Sequence, residues 1–293
     1  MVTGPRVGVV VLPQQRWAQA RERWRAVEEM GFHTAWTYDH LAWRDLADEP
    51  WFATVPTLTA AATVTSRIRL GTWVASPNFS HPVPFAKELM TLDDVSDGRL
   101  VVGLGAGGTG WDADVLGGPR PTPGQRVRRL DEFCELLDQL LRNPTTTRHG
   151  EWFSAVSARM LPGPVQRPRP PFVVAANGPR ALQVAARRGD AWATTGVTGG
   201  EDGQDAWWRG VADVAARFEA ALEEAGRRPG DVDRYLNLDS GAVYSLSSRE
   251  AFADAAGRAA ELGFTDVVTH WPRDEGAYAG DVRVLEQVAA DLA

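Results

Sequence analysis

The 293-residue sequence predicts a (β/α)8 barrel, and three observations carry that prediction. Short apolar runs alternate with amphipathic helical stretches from one end of the chain to the other. The count comes to eight of each, at the spacing of βα units. One segment also echoes another: EEMGFHTAWT near the start and AELGFTDVVT near the end share helix end, Gly-Phe, strand and Thr. Repeated βα units over this length favour a closed barrel with the helices outside, in one domain spanning 1–293; an open doubly wound sheet is the alternative.

Residues 7–12 (VGVVVL) form the continuous apolar run that a strand buried on both faces needs. Trp17, Ala20, Trp24, Val27 and Met30 then recur at helical spacing, with Gly31 as the stop. By this pattern Trp17 and Trp24 both belong to the core. The second strand, 34–38, ends in Asp39-His40, and 54–65 reads as the second helix. Strand three covers 68–74, and Phe85, Leu89, Leu92 and Val95 mark helix three. Strand four, 100–104, runs into glycines, and Val127, Leu130, Cys134, Leu137 and Leu141 stripe helix four. The rhythm breaks over 143–171, rich in Pro, Thr and Arg, which reads as a lid-like insertion between helix four and strand five. Strand five is 172–176, with its helix over 179–188 and Pro179 in the first turn. Strand six is 191–194, followed by a long helix through Val211, Val214, Phe218 and Leu222. Residues 235–244 contain strand seven, Ser247 and Glu250 make a capping box for helix seven, and 266–269 is strand eight.

The net charge is −7 with no basic run, which excludes a nucleic-acid footprint or an anionic-membrane partner. Cys134 is the sole cysteine, so no disulfide or Cys-based metal cage can form within the chain, and a reducing cytoplasm is the expected setting. The apolar run at 7–13 is too short for a signal peptide's core, and no stretch approaches a membrane span.

Chemistry in a barrel sits where strands end and βα loops begin. GLGAGG, 103–108, matches the dinucleotide fingerprint, but the acidic residue that fingerprint requires falls inside helix four, near Asp131. The remaining readings are small residues that relieve strand crowding, or close backbone approach to a flat ring. Asn177-Gly178-Pro179-Arg180 places a helix N-terminus directly after a strand, where free N–H groups suit a phosphate; Thr194, Thr195 and Gly196 end the neighbouring strand. An ordinary Asn-Gly turn reads the same way. Asp39-His40 with Trp43 can position a ligand and move a proton, or can be a hydrogen-bonded loop. Lys87, the only lysine, lies within helix three, which excludes Schiff-base chemistry at a strand end. No HxH or HExxH occurs, so no metal site is expected. Among the twelve tryptophans, Trp43, Trp51, Trp73, Trp111 and Trp271 lie near strand ends and are candidates to wall a pocket, while Cys134 on a buried stripe is inert core.

The run TSRIRLGTWVASPNFSHPVPFAKELMTLDDVSDGRLVVGLGAGG, the run VQRPRPPFVVAANGPRALQVAARRGDAW and the strand ending YDH together resemble the bacterial luciferase-like oxidoreductases over nearly the whole chain. That family comprises (β/α)8 barrels using FMN or the deazaflavin coenzyme F420. The resemblance implies a non-prolyl cis peptide at Trp73-Val74, a ring lined by Asp39, Val74, Ser76 and Gly107, and a cofactor phosphate held by Asn177, Gly178, Pro179, Arg180, Thr194, Thr195 and Gly196. Asp39-His40 with Trp43 looks like the deazaflavin-using branch, particularly its sugar-phosphate dehydrogenases; His40 would be the acid/base, with Trp43 beside it. Two departures make a sugar phosphate doubtful: Gly108-Thr109 stands where those dehydrogenases carry an acid, and the 196–203 loop has no lysine. An apolar or heterocyclic substrate against Trp111, His270 and Trp271 is expected instead, with His270 the rival acid/base. The expected activity is F420-dependent hydride transfer to or from a small organic substrate. The alternatives are an FMN-dependent monooxygenase supplied by a partner reductase and a non-catalytic flavin-binding barrel. Family habit implies a homodimer.

Overall fold

The alternation of apolar runs and amphipathic stretches closes on itself. In the computed structural model, which describes residues 4–108, 110–197 and 203–292, β1 (Arg6–Val10) pairs in parallel with β2 (Thr34–Thr37) on one side and with the last strand, β10 (Asp266–His270), on the other. Between them run β3 (Arg69–Thr72), β4 (Leu100–Gly105), β7 (Phe172–Ala175), β8 (Ala191–Thr194) and β9 (Asp233–Asn237), completing a closed eight-stranded barrel. The open-sheet alternative and the dinucleotide reading of 103–108 both fall with that closure.

Outside lie α1 (Trp17–Glu29), α2 (Thr54–Ala62), α3 (Pro82–Val95), α5 (Pro123–Arg142), α6 (Pro179–Arg188), α7 (Gln204–Glu224), α8 (Arg249–Glu261) and α9 (Val282–Leu292); a short α4 (Trp111–Asp114) sits in the loop after β4. Thr122 caps α5 with a reciprocal Gln125 box. For α8 the cap is Ser248, which accepts from the Ala251 N–H at 3.0 Å, one residue later than the Ser247 box expected from sequence. The seventh strand stops at Asn237, because Asp239-Ser240-Gly241 turns the chain into short 3₁₀ segments. Among the described residues, no helix is long and apolar enough to cross a membrane.

Two apolar layers result. Between strands and helices pack Trp24, Leu89, Leu92, Leu137 and Trp192, with Cys134 among them, its thiol pushed up to about 12 by burial. Trp17 is a correction: at the first turn of α1 it is 37% exposed, whereas Trp24 on the same face is 1% exposed. Val95 likewise faces outward at the end of α3. Inside the barrel, Trp36 fills the centre against Trp73 and Tyr235, at ring separations of 4.9 and 5.8 Å. Gly8 and Gly71 make room for it: a Cβ at Gly71 would stand 2.3 Å from the Trp36 ring, and one at Gly8 2.5 Å from its Nε1. The barrel floor beneath the strand ends is therefore solid.

The insertion is also corrected. Residues 143–171 contain an antiparallel hairpin, β5 (Thr145–His149) and β6 (Ser154–Arg159), lying against the flank of the barrel. Glu132 on α5 accepts the N–H groups of Trp152 and Phe153 at 2.9 and 2.7 Å, and Lys87 on α3 donates to the Arg159 carbonyl at 2.7 Å. The hairpin lines no part of the cavity at the strand ends, so it is a brace and not a lid.

Candidate active-site cavity

The carboxyl ends of the strands surround a cavity of about 680 Å³, a size within the range of small-molecule sites. Its floor is built by β3 and β4. The glycines of the 103–108 run divide their work. A Cβ at Gly103 would stand 2.0 Å from the Thr72 carbonyl, so that glycine serves strand packing, whereas Gly105 and Gly107 line the cavity. Gly107 has φ +72° and lies against Asn78, leaving no space for a side chain. Val74 and Ser76 line the same wall, and the Trp73-Val74 peptide is cis. The wall formed by Val74, Gly105, Gly107, Ala175 and Ala193 carries only small side chains, which suits the close approach of an extended ring.

On the β7 and β8 side, Asn177 Nδ2 donates to Thr195 Oγ1 at 2.8 Å, Thr194 Oγ1 donates to Asn177 Oδ1 at 2.6 Å, and the Gly196 N–H donates to Thr194 Oγ1 at 3.0 Å. All four residues line the cavity. Gly178 caps α6 without a side-chain bond and Pro179 occupies its first turn, so the helix opens with free N–H groups toward Ala181, itself a cavity residue. Arg180 does not join them: it is exposed and reaches beside Gly124 at the start of α5. The donor set here is neutral, and it fits a singly charged phosphate with no arginine partner.

The opposite side is aromatic and titratable. His40 Nδ1 is bonded to Asp112 Oδ2, and Asp112 Oδ1 accepts the Leu41 N–H at 2.7 Å. Asp112 comes from α4, so the acid that sequence found missing after the strand-four glycines is supplied a few residues later. Its only sequence signal is the WDAD run that follows the glycines. Trp43 lines the same side, facing Tyr278 at 6.2 Å, and Arg44 is the one permanent cation among the described lining residues.

Several expected residues stand apart. Asp39 lies beneath the cavity without lining it. Burial pushes its carboxyl up to about 6, against the opposing influence of the Thr54 hydroxyl and His40. Trp271 turns outward, packing between strands and helices with Arg23 of α1 5.7 Å over its ring. His270 is fully buried behind Tyr38 and Tyr278 and does not line the cavity. Trp111 begins α4, but its side chain, like residues 109 and 198–202 of the flanking loops, lies outside the described residues. Asp112 and Tyr278 line the cavity without having been singled out from sequence, and Tyr38 and Asp239 line it with no role assigned to them there. Tyr278 sits within the loop between β10 and α9, where no periodicity applies, so nothing in the sequence placed it at the cavity.

Residues 1–288 match the family model described as luciferase-like monooxygenase. Among curated proteins, the chain is 31% identical over 215 residues to an F420-dependent glucose-6-phosphate dehydrogenase of Amycolatopsis mediterranei (strain U-32), covering 72% of this chain and 61% of that protein. It is 31% identical over 238 residues to an F420-dependent hydroxymycolic acid dehydrogenase of Mycobacterium tuberculosis (strain ATCC 25618 / H37Rv), covering 79% and 61%. The chain thus spans about three fifths of the length of these relatives. Among solved structures, an F420-dependent secondary alcohol dehydrogenase in complex with an F420-acetone adduct superposes with a TM-score of 0.81, 18% identity and 99% coverage of both chains. A monooxygenase from Streptomyces bottropensis superposes with a TM-score of 0.73, 20% identity and coverage of 97% and 96%. At these identities the likeness speaks for the fold.

Proposed function

The chain belongs to the luciferase-like monooxygenase family, and on that premise we propose that it is an F420-dependent oxidoreductase acting on a small organic substrate. One observation carries the reading: a single cavity joins a neutral phosphate-type donor set at Asn177 and Thr195 to a His40–Asp112 pair on the opposite side. A phosphodiester, as in the deazaflavin tail, carries one negative charge and suits hydroxyl, amide and helix N–H donors. The terminal phosphate of FMN approaches two charges and favours an arginine fork, which the β7 and β8 side lacks. The F420-dependent dehydrogenases among the relatives support the same choice.

When bound, the deazaflavin would supply the hydride acceptor or donor. The chain's own residues do the rest. Val74, Ser76 and Gly107 would hold the ring flat, and Asn177, Thr195 and the α6 N-terminus would hold the phosphate. Asp112 occupies His40 Nδ1 and leaves Nε2 for a substrate hydroxyl or carbonyl, so His40 would take or give the proton. Trp43 and Tyr278 give the substrate side apolar walls. Arg44 is the sole fixed cation among the described lining residues, and residues 198–202 supply no lysine, which argues against a sugar phosphate.

Fluorescence titration of the purified protein with F420 and with FMN tests the reading. Tighter binding of F420 is expected. Equal or stronger FMN binding transfers the case to a monooxygenase using reduced flavin, and binding of neither cofactor leaves a non-catalytic barrel.

A further inference from the structure

A second set of titratable groups lies behind the aromatic side of the cavity, separate from His40 and Asp112. His270 Nδ1 is 2.7 Å from Asp239 Oδ2; His270 Nε2 is 2.7 Å from the Tyr38 hydroxyl; and that hydroxyl is 3.0 Å from the hydroxyl of Tyr278. Tyr38, Tyr278 and Asp239 all line the cavity. We propose that Asp239, His270, Tyr38 and Tyr278 form a second proton path, in which the tyrosine hydroxyls meet the reacting oxygen of an alcohol or carbonyl substrate and His270 stores the proton. The proposal rests on the oxidoreductase reading above.

The direction of the chain follows from its partners. The Asp239 carboxylate can only accept, and donors converge on both its oxygens: the N–H and hydroxyl of Ser245 on Oδ1, and the N–H and Nδ1 of His270 on Oδ2, with the Thr269 hydroxyl shared between Oδ2 and Ser245 Oγ. His270 therefore carries a proton on Nδ1, and in the neutral ring Nε2 is then the acceptor. Tyr38 then donates to Nε2, and its oxygen accepts from Tyr278. The Tyr278 oxygen retains a lone pair at the cavity.

The arrangement exceeds what a strut between β2 and β10 needs. An imidazole and a carboxylate, both essentially without solvent contact, are held inside the barrel, where apolar packing would hold the strands as well. The Tyr278 ring stacks on His270 at 3.7 Å and 4°, and Tyr278 has φ +64°, unfavourable for a bulky residue and of the kind that collects at functional sites. Burial raises both phenols, Tyr278 to about 12, so each keeps its own proton and passes one on. In the oxidising direction the substrate O–H bond breaks and its proton bonds to Tyr278 in place of His40 Nε2, which on this path orients the substrate oxygen. The Tyr278 proton passes to Tyr38, and the Tyr38 proton passes to His270 Nε2, leaving an imidazolium against the Asp239 carboxylate. The reverse sequence protonates a carbonyl oxygen during reduction.

The test has two arms. In protein labelled with ¹⁵N-histidine, the His270 resonances should show a neutral ring protonated at Nδ1 with a hydrogen-bonded Nε2, and Tyr38→Phe should move Nε2 to the position of an unbonded nitrogen. With F420 and a panel of short secondary alcohols, Tyr38→Phe and Tyr278→Phe should each lower kcat by about 10²-fold and diminish the solvent deuterium isotope effect, leaving the F420 Kd within about twofold. A wild-type His270 protonated at Nε2 overturns the path. So does Tyr38→Phe turning over at the wild-type rate while His40→Ala is inactive. Should the protein bind no F420, or oxidise none of the alcohols, the oxidoreductase reading fails on its own account and the NMR arm still decides whether the hydrogen-bonded path exists.

Discussion

At the end of the barrel where the strands begin, charged side chains close loops. Glu28 accepts the N–H groups of Ser66, Arg67 and Ile68 at 2.9, 2.7 and 2.9 Å. Arg99 donates to the carbonyls of Ala62, Thr65 and Ile68. Arg169 joins Asp138 to Asp190 at 2.6 and 2.5 Å. Where the strands finish, hydrogen bonds run instead toward open space: Asp112 to His40, Asp239 through His270 to Tyr38 and Tyr278, and Asn177 to Thr195. Polar groups at the first end are satisfied by backbone or by one another, whereas those at the second retain a donor or acceptor facing the cavity. The contrast implies that substitutions at the two ends should separate cleanly, with stability affected at one and binding or turnover at the other.

The largest separation is expected at His40. Once a turnover substrate is in hand, His40→Ala should lower kcat by about 10²–10⁴ while leaving the F420 dissociation constant and the melting temperature nearly unchanged. Asp112→Asn should lower kcat less, by about tenfold, because it orients the ring without carrying the proton. A large fall in melting temperature for either variant would place these residues with the loop-closing charges and break the comparison.

Glu28 is the counterpart. Burial opposes its charge, but the three backbone donors and the Ser66 hydroxyl outweigh that and hold the carboxyl down to about 2. A carboxyl depressed on folding contributes stability above its unfolded value of about 4.5, and that contribution is lost as the pH falls toward 2. Glu28→Gln should therefore cost about 2 kcal/mol at pH 7, after allowance for partial solvent screening, and much less at pH 3. F420 affinity should not change. Urea unfolding at the two pH values measures the first effect and cofactor titration the second; a weakened cofactor site would contradict the division of labour.

How much of this division the sequence revealed depended on whether a residue's role is local. Strand ends can be read from periodicity and the ring-lining positions from the family resemblance, and His40, Trp43, Val74, Ser76, Gly107, Asn177, Thr194, Thr195 and Gly196, expected at the site on those grounds, line the cavity. Side-chain direction could not be read. Trp271 and His270 are adjacent at the end of β10, yet one turns out to α1 and the other in behind Tyr38. Arg180 belongs to the right turn but points away from it. Asp112 and Tyr278 reach the site from loops, across 72 and 240 residues from their partners His40 and Tyr38, and no spacing rule encodes such contacts. The run 143–171 suggests a lid although its hairpin is a brace, because a polar, irregular run looks alike whether it covers a site or supports a flank.

On the β7 and β8 side a smaller effect is expected. Thr195→Val keeps the shape but removes the hydroxyl that Asn177 bonds, and it should weaken F420 binding by about 1–3 kcal/mol if the charged phosphate loses a buried donor. Turnover at saturating cofactor should hold. An unchanged dissociation constant in a folded variant would move the phosphate elsewhere and reduce Asn177, Thr194 and Thr195 to a strand-end clasp.

Asp39 tests the comparison at its least obvious point, since it belongs to the cavity end but is buried like a structural residue. Its carboxyl is raised to about 6 by burial, above the ordinary value of 3.8. An acid raised on folding binds its proton more tightly in the native state, so it stabilises the fold relative to the charged form below about pH 4, and that advantage is lost as the pH rises through 6. Above pH 6 the protein keeps a buried charge next to the cavity. Asp39→Asn removes that charge and should raise the stability of the cofactor-free protein by about 1 kcal/mol at pH 8. At pH 4.5, where the wild-type carboxyl is already neutral, the gain should vanish or reverse. Melting curves of both proteins at the two pH values decide it. A stabilisation of equal size at both would mean that the carboxyl does not titrate in this range, and a destabilisation at pH 8 would mean that its charge is anchored like that of Glu28, placing Asp39 with the loop-closing set.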